Sequence, residues 1–362
     1  MKRLVLVAAI LVGAVVTGAA PGAGCTPLDC APSGVTIRTD LLVARPAGIQ
    51  SAVDVVDLRT GAVKWHLPAG ILTGHMLVQS ASHRLTWHDA ATGAELRTTP
   101  FGGNGFLVGT SQDGTRAVMA FVEKKRTTFT VVSSSGAQTV VLPGNRWGFD
   151  ALSGNSFYLL KYLQNGYEIR RYDLGTRTLS SKPLKDPKGS SRIWGIAWSR
   201  LASADGRYLF TLYLGSDGGA MVHKLDLRTG AARCIDLQGS SDFNAGSVWT
   251  MQLSPNDKTL WAVNPAFGRV VGIDVARERV TTSFRFTSIR RPTQPSSSTS
   301  AISPDGSRIA VAMGGAIWQV SVAKRTVAKG QPLAAVALGF SPDGTTLWAV
   351  TKAAQVIALP VS

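Results

Sequence analysis

Glutamate, cysteine and long apolar runs are all scarce in this chain of 362 residues. Glutamate occurs only at Glu95, Glu123, Glu168 and Glu278. Because glutamate is a strong helix former, its scarcity predicts few long helices. Glycine is abundant at 38 residues, and Val, Thr and Ser are frequent, which favours short strands joined by tight turns. Because 44% of the residues are hydrophobic, the chain can bury a large core, which excludes disorder over its whole length.

The longest apolar run lies at the N-terminus, where Lys2 and Arg3 precede an apolar stretch over residues 4–16. A charged start, an apolar run and then small residues are typical of a secretory signal. The run is shorter than the roughly 20 apolar residues of a membrane-spanning helix. We therefore predict a signal peptide over residues 1–24, an N-terminal tether over 25–34 and an extracytoplasmic domain over 35–362.

The chain has three cysteines, at Cys25, Cys30 and Cys234. The sequence GAGC, residues 22–25, resembles a bacterial lipobox, in which the cysteine is lipidated and becomes the new N-terminus, although a glycine stands where leucine is usual. We predict lipid attachment at Cys25, with ordinary cleavage and secretion as the alternative. A lipid on Cys25 leaves Cys30 and Cys234 as a pair that can oxidise outside the cytoplasm. The competing pairing joins Cys25 to Cys30.

Two short phrases recur along the chain and alternate with each other. The first, of the form Ser-x-Asp-Gly, starts at Ser111, Ser153, Ser203, Ser254, Ser303 and Ser341, and the second, of the form Asp-x-x-Thr-Gly, starts at Asp57, Asp89, Asp173, Asp226, Asp274 and Ser321. Such residues build turns, because Ser and Asp accept backbone hydrogen bonds and glycine adopts positive φ, as expected of Gly344. Repeated copies of one turn indicate a fold signal and not a catalytic site.

Successive copies of the first phrase lie 38 to 51 residues apart and are flanked by strands of alternating polarity. Two hairpins in a period of about 40 to 50 residues predict an all-β fold, a single β-propeller of four-stranded antiparallel blades. The units at residues 35–70 and 336–362 are partial. If residues 35–40 complete the final blade the ring has eight blades, and if the two partial units merge it has seven. We prefer eight.

The repeats resemble those of bacterial extracytoplasmic propellers in the YVTN, WD-repeat-like and quinoprotein-like groups, from about residue 35 to the C-terminus. The segment DLRTGAVKW, which ends at Trp65, is similar to the tryptophan-docking repeat of quinoproteins, but Arg97 and Cys234 stand in the Trp position of later copies. We therefore predict no quinone and no other cofactor. The resemblance implies a protein that acts outside the cytoplasm.

The loops that precede the inner strands are enriched in Arg and Trp, namely Arg146, Trp147, Arg192, Trp194, Trp249, Arg290 and Arg291. One interpretation is a rim of stacking faces and cations around the channel mouth, suited to an anionic glycan, a peptide or a protein. In the alternative, the Trp side chains wedge between blades and the Arg side chains point into solvent.

Motifs that would carry catalysis or metal binding are missing. His75, His83 and His88 occur in one unit, but their spacing matches no metal motif, and there is no nucleophile elbow, phosphate loop or calcium loop. We therefore predict no metal and no catalytic residue. The preferred function is an exported binding or scaffold protein at the cell surface, and the alternative is a lactonase-like or lyase-like enzyme with its site at the channel mouth.

The chain is strongly basic, with 38 Lys and Arg against 22 acidic residues and a net charge of +16. Removal of residues 1–24 takes away Lys2 and Arg3 and no acid, which leaves +14. This charge predicts attraction to an anionic cell-envelope surface, with the membrane itself contacted only through the lipid anchor. The basic residues are scattered and no reading motif is present, so specific nucleic-acid binding is not predicted.

Overall fold

The computed structural model describes residues 34–47, 51–101, 105–164, 166–187, 189, 193–215, 219–237, 242–289, 291–293 and 298–361. These residues form eight antiparallel sheets, each built from consecutive strands, and one short helix. Inner strands of neighbouring sheets contact each other at most junctions of the ring. The fold is an eight-bladed β-propeller, as preferred from the sequence. In the described part of the chain, no helix has the length and apolar character needed to cross a membrane.

The strands follow one another blade by blade, the first of each blade being the innermost. Blades 1 to 4 consist of β1 (Gly34–Ile37), β2 (Leu41–Ala44), β3 (Val53–Asp57) and β4 (Val63–Leu67); β5 (Ile71–Thr73), β6 (Met76–Ala81), β7 (Arg84–Asp89) and β8 (Glu95–Pro100); β9 (Phe106–Thr110), β10 (Ala117–Val122), β11 (Arg126–Ser133) and β12 (Gly136–Pro143); and β13 (Trp147–Ser153), β14 (Ser156–Tyr162), β15 (Tyr167–Asp173) and β16 (Thr178–Leu179).

The second half of the ring repeats this order, with helix α1 (Phe243–Gly246) between two blades. Blades 5 to 8 consist of β17 (Ile196–Ala202), β18 (Tyr208–Leu214), β19 (Ala220–Asp226) and β20 (Ala232–Asp236); β21 (Thr250–Leu253), β22 (Thr259–Asn264), β23 (Arg269–Asp274) and β24 (Arg279–Arg285); β25 (Thr299–Ile302), β26 (Arg308–Met313), β27 (Ala316–Ser321) and β28 (Thr326–Pro332); and β29 (Ala335–Phe340), β30 (Thr346–Thr351) and β31 (Val356–Pro360).

The core consists of apolar layers between blades. Side chains alternate along a strand, and in β18 both sets are buried because each side of the sheet meets a neighbour. Leu212 packs with Trp249 of the next blade, whereas Tyr213 packs with Tyr167 of the preceding blade. Both sides of β18 are therefore largely apolar, with Thr211 as a buried polar residue on the side that meets blade 4.

The recurring Ser-x-Asp-Gly phrase forms turns, as predicted. Ser341 donates its hydroxyl proton to Asp343 at 2.5 Å and accepts the N–H of Thr346 at 2.9 Å, while Gly344 has φ +71°. The turns at Ser111, Ser203, Ser254 and Ser303 repeat this pattern. Ser153 differs, because only two residues separate it from Ser156 in a tighter hairpin.

The turn aspartates serve the backbone. In the second phrase, Asp226 accepts hydrogen bonds from the N–H groups of Arg228 and Thr229 at 2.9 and 3.1 Å. Hydrogen bonds from Ser303 and Ser307 lower the pKa of Asp305 to about 2. Asp226 and Asp305 are therefore held as structural anions in their turns.

Strand direction divides the ring into two faces. The turn face carries the links from first to second and from third to fourth strand, where both phrases lie. The loop face carries the links from second to third strand and the connections between blades. Every inner strand begins at the loop face.

The prediction that residues 35–40 complete the final blade is wrong. β1 pairs with β2 through the three-residue turn 38–40 and is the inner strand of blade 1, while blade 8 has three strands among the described residues. The short turn makes local pairing the least costly use of β1 in chain entropy. The ring closes instead by side-chain packing, with Leu42 and Leu58 of blade 1 against Ala337 and Val350 of blade 8.

Candidate functional site on the loop face

The Arg and Trp residues predicted as a ligand rim precede or begin inner strands, so those described lie on the loop face. Arg192 and Arg290 lie outside the described residues, as do Cys25 and Cys30. The other five divide into a buried and an exposed group, and this division decides which of them can meet a ligand.

Trp147 and Trp249 are buried between blades. Trp147 is 7% exposed, packs in the layer between blades 3 and 4, and donates its indole N–H to the carbonyl of Pro143 at 2.9 Å. Trp249 is 1% exposed, and its ring centre lies 6.4 Å from that of Phe267. Both rings fill space at blade junctions, so the alternative of inter-blade wedges describes their placement.

Arg146, Trp194 and Arg291 are exposed. Trp194 is 54% exposed, although the preceding residue, Ile193, is fixed by two backbone hydrogen bonds to Tyr167. Arg291 lies 3.4 Å from the carboxylate of Asp242, which caps α1. The fixed backbone and exposed indole of Trp194 suit stacking against a ligand. The ion pair with Asp242 reduces the positive charge that Arg291 presents to a ligand.

Arg146 belongs to a cluster of cations at the loop-face end of blade 3. The turn between β10 and β11 contains Lys124 and Lys125, both exposed. The N–H of Gly144 donates to the carbonyl of Lys125 at 2.7 Å, which brings the Arg146 segment beside this turn. The acid of the turn, Glu123, is paired with Arg126. The loop face of blade 3 is therefore cationic, and the sequence signal for it was the run EKKR.

Sequence reasoning missed a buried ion pair between blades 4 and 5. Arg200 of β17 donates to both the carbonyl and the carboxylate of Asp150 of β13, and their side chains are 8% and 2% exposed. The two residues are 50 positions apart and belong to no motif, so no local signal could have linked them.

Behind Arg200, a row of polar residues crosses blade 5 toward its outer edge. Register places Thr211, His223 and Cys234 in line with Arg200, on the side of the sheet that meets blade 4. Burial lowers the pKa of His223 to about 4 and raises the pKa of the Cys234 thiol to about 11. At neutral pH the imidazole is uncharged and the thiol is protonated.

Asp186 lies at the outer end of this row of polar residues. We define the polar seam as Asp150, Arg200, Thr211, His223, Cys234 and Asp186. The carboxylate of Asp186 accepts the backbone N–H of Cys234 at 2.8 Å and a guanidinium N–H of Arg233 at 2.6 Å. Within the described ranges, no three His, Cys, Asp or Glu side chains are arranged to hold a metal ion. The seam can lock blade 4 to blade 5. The predicted pairing of Cys234 with Cys30 stays a prediction.

A shallow depression of about 280 Å³ lies on the loop face between blades 7 and 8. It is lined by Met313, Gly314, Gly315 and Leu333, with Lys352 as its single charged residue. The lining mixes apolar side chains, glycine backbone and one cation, so the depression indicates no particular class of ligand.

Solved structures with the same fold match this chain at low identity. It is similar to AztD from Citrobacter koseri, with a TM-score of 0.53 and 13% identity over 83% of this chain and 86% of that chain. The apo AztD structure gives 0.52 and 14% over the same shares, and the Cps50 (Swd1) β-propeller domain of Myceliophteria thermophila gives 0.43 and 11% over 80% and 93%. No protein-family model and no curated protein sequence matches the chain. At these identities the likeness shows the β-propeller fold alone.

Proposed function

We propose that the protein is an extracytoplasmic binding propeller of the kind found in the bacterial YVTN and WD-repeat-like groups, tethered to the membrane through Cys25, whose loop face binds an anionic partner. The observation that carries this proposal is the contrast between the two faces. The loop face of blade 3 presents exposed cations at Lys124, Lys125 and Arg146, whereas exposed cations of the turn face, such as Arg228, lie in turns that also hold carboxylates.

The loop-face side chains match the chemistry of an anionic glycan, peptide or protein. A guanidinium such as that of Arg146 forms paired hydrogen bonds to carboxylate or phosphate groups. An exposed indole such as that of Trp194, at 54% exposure, stacks on sugar rings or planar groups. Cationic and aromatic groups on one face support binding of a polymer or a protein surface.

Binding is favoured over catalysis by the positions of the ionisable groups. A general base must reach the proton that it removes, yet Asp150 is buried in an ion pair with Arg200 and His223 is 4% exposed. The turn carboxylates, such as Asp343 and Asp305, have a lowered pKa because hydrogen bonds favour their ionised form. Low pKa values make them weak bases at neutral pH.

Titration with fluorescein-labelled polyglutamate tests the proposal. Arg146→Ala should weaken binding several-fold at low salt and less at high salt, since the contact is between solvent-exposed charges. The matched control is Arg228→Ala, an exposed arginine on the turn face, which should bind as the wild type does. Equal losses in the two variants would show that binding follows net charge alone and would reject the loop face as the site.

A further inference from the structure

The loop-face end of blade 3 exposes an unusual amount of apolar surface. Eight large hydrophobic side chains are exposed in the described part of the chain, and four belong to this one blade end: Phe106 at 55%, Phe121 at 37%, Val122 at 44% and Val141 at 58%. β9 begins at the loop face and β10 and β12 end there, so all four lie within three residues of that edge. We call these four residues the blade 3 tip.

The register shows why part of the tip is uncovered. Phe121 is directly opposite Thr128, which is directly opposite Val141, so the three lie on one side of the sheet. Met119, two residues before Phe121, is on the same side and is buried against Val78 and Trp87 of blade 2. Blade 2 therefore covers Met119 but does not cover Phe121 and Val141, which lie one position closer to the loop face on the same side of the sheet. Clustered apolar exposure of this kind marks an interaction surface.

Cations adjoin the tip. Lys124 and Lys125 follow Val122 after one intervening residue, Glu123, and the Arg146 segment lies beside them through the hydrogen bond between Gly144 and Lys125. In the part of the chain that the structure describes, none of these three cations has a carboxylate within 4.0 Å, whereas the neighbouring Arg126 is paired with Glu123. Apolar side chains and unneutralised cations thus share one edge of the molecule.

We infer that the blade 3 tip docks onto the surface of an anionic lipid bilayer. Aromatic and aliphatic side chains enter the boundary between headgroups and acyl chains, and lysines beside them contact anionic headgroups. A protein partner fits less well, because the buried centres of protein interfaces are depleted in lysine. This inference rests on the proposed function, since it specifies an anionic partner for the same face, and it adds a direct contact to the predicted lipid anchor.

The start of the fold supports this orientation. β1 begins at Gly34 on the loop face, so the predicted anchor at Cys25 would be joined to that face. The nine residues 25–33 span at most about 30 Å when extended. An anchor on this tether would hold the loop face near the bilayer and raise the local concentration of the tip at the membrane.

Vesicle co-sedimentation tests the inference on the full-length chain carrying Cys25→Ser, which removes the predicted lipid. Binding is expected to vesicles of phosphatidylcholine mixed with phosphatidylglycerol, and much less to phosphatidylcholine alone. Phe121→Ser combined with Val141→Ser should reduce partitioning by about tenfold or more. Lys124→Glu combined with Lys125→Glu should reduce it by about tenfold or more at low salt.

Matched controls exist on the turn face. Leu96 is 51% exposed at the turn-face end of β8, and Lys258 and Lys324 are exposed in turns of blades 6 and 7. Leu96→Ser and the pair Lys258→Glu and Lys324→Glu should leave partitioning unchanged. Thermal unfolding by circular dichroism checks that every variant is folded.

Three outcomes would overturn the inference. The tip variants could bind vesicles as the wild type does, or the turn-face controls could lose as much binding as the tip variants. Alternatively, Phe121→Ser could convert a dimer to a monomer in size-exclusion chromatography without changing vesicle binding, which would assign the tip to a second copy of the chain. Polyglutamate binding that depends on Arg146 would survive each of these results, so failure of the inference and failure of the proposed function are distinguishable.

Discussion

The indole N–H of Trp348 in blade 8 donates a 2.7 Å hydrogen bond to the carbonyl of Leu58 in blade 1, across 290 residues of sequence. The same ring covers Gly61, where an added Cβ would lie 2.2 Å from a ring carbon. The two ends of the propeller are therefore joined by an indole packed on a turn, together with the apolar layer between the blades. No strand of blade 1 is shared with blade 8 in the described residues.

Gly61→Ala tests this closure. Gly61 has φ +74°, so alanine brings both backbone strain and a collision with Trp348. Gly154→Ala is the matched control, because Gly154 has φ +53° and open space around it. We expect the free energy of unfolding to fall by about 1 kcal/mol in the control and by about 3 kcal/mol or more in Gly61→Ala, as measured by urea unfolding. Equal losses of stability in the two variants would mean that closure of the propeller does not depend on the contact between Gly61 and Trp348.

Acidification should destabilise the fold through His223. The pKa of this buried imidazole is about 4 against about 6.5 in the unfolded chain, so its contribution to stability is complete above pH 6.5 and is lost as pH falls toward 4. Asp150 and Asp186 raise this pKa and Arg200 lowers it, all less than burial does. The loss over that range is about 3 kcal/mol.

Urea unfolding at pH 7.5 and 4.5 measures this loss. His223→Gln should be less stable than the wild type at pH 7.5, but its free energy of unfolding should decrease less on acidification. His75→Gln, which removes a histidine with a 57% exposed side chain, should keep the wild-type decrease. A decrease in His223→Gln as large as in the wild type would exclude the buried imidazole as its cause.

The two classes of loop-face tryptophan should respond differently to removal. Trp249→Ala should cost several kcal/mol of stability, about 3 to 5, because it leaves a cavity between blades 5 and 6. Trp194→Ala should change stability by less than about 1 kcal/mol, since the side chain is mostly exposed, and should weaken binding of an anionic glycan probe such as alginate. Unchanged alginate binding in a folded Trp194→Ala protein would remove the indole from the binding face.

Lipid attachment at Cys25 is testable in cells. A labelled fatty acid should be incorporated into the wild type and not into Cys25→Ser, because only the cysteine of a lipobox accepts the lipid. Cell fractionation should move the protein from the membrane to the soluble extracytoplasmic fraction in the variant. Equal labelling of the two proteins would contradict the anchor and would favour ordinary cleavage.

The pairing of Cys30 with Cys234 predicts a disulfide-linked peptide in non-reducing mass spectrometry. If Cys234 is instead a free thiol, its raised pKa of about 11 keeps it protonated at pH 8, and alkylation by iodoacetamide should be slow until the protein unfolds. Rapid alkylation of the folded protein would contradict the partial burial of this thiol. Alkylation after unfolding without a reductant would reject the disulfide.

The repeated turns were predictable because their chemistry is local. Ser303, Asp305 and Arg308 lie within six residues of each other, and the serine hydroxyl binds the other two directly. The same spacing therefore encodes the same turn in any blade. At Asp257 a non-glycine residue takes φ +55° in the position where Gly344 has φ +71°, so this turn tolerates the imperfect repeats from which it was recognised.

The sequence by itself determined the all-β class, the blade period and the positions of the turns, because hydrogen bonds across a few residues and alternating polarity specify them. Only the tertiary structure decided which tryptophans are buried, how the ring closes and that Asp150 meets Arg200 across two blades. These relationships depend on the register and lengths of strands in neighbouring blades, as the exposed Phe121 beside the buried Met119 shows. Packing between blades joins residues about 50 to 290 positions apart, and no local pattern carries that information.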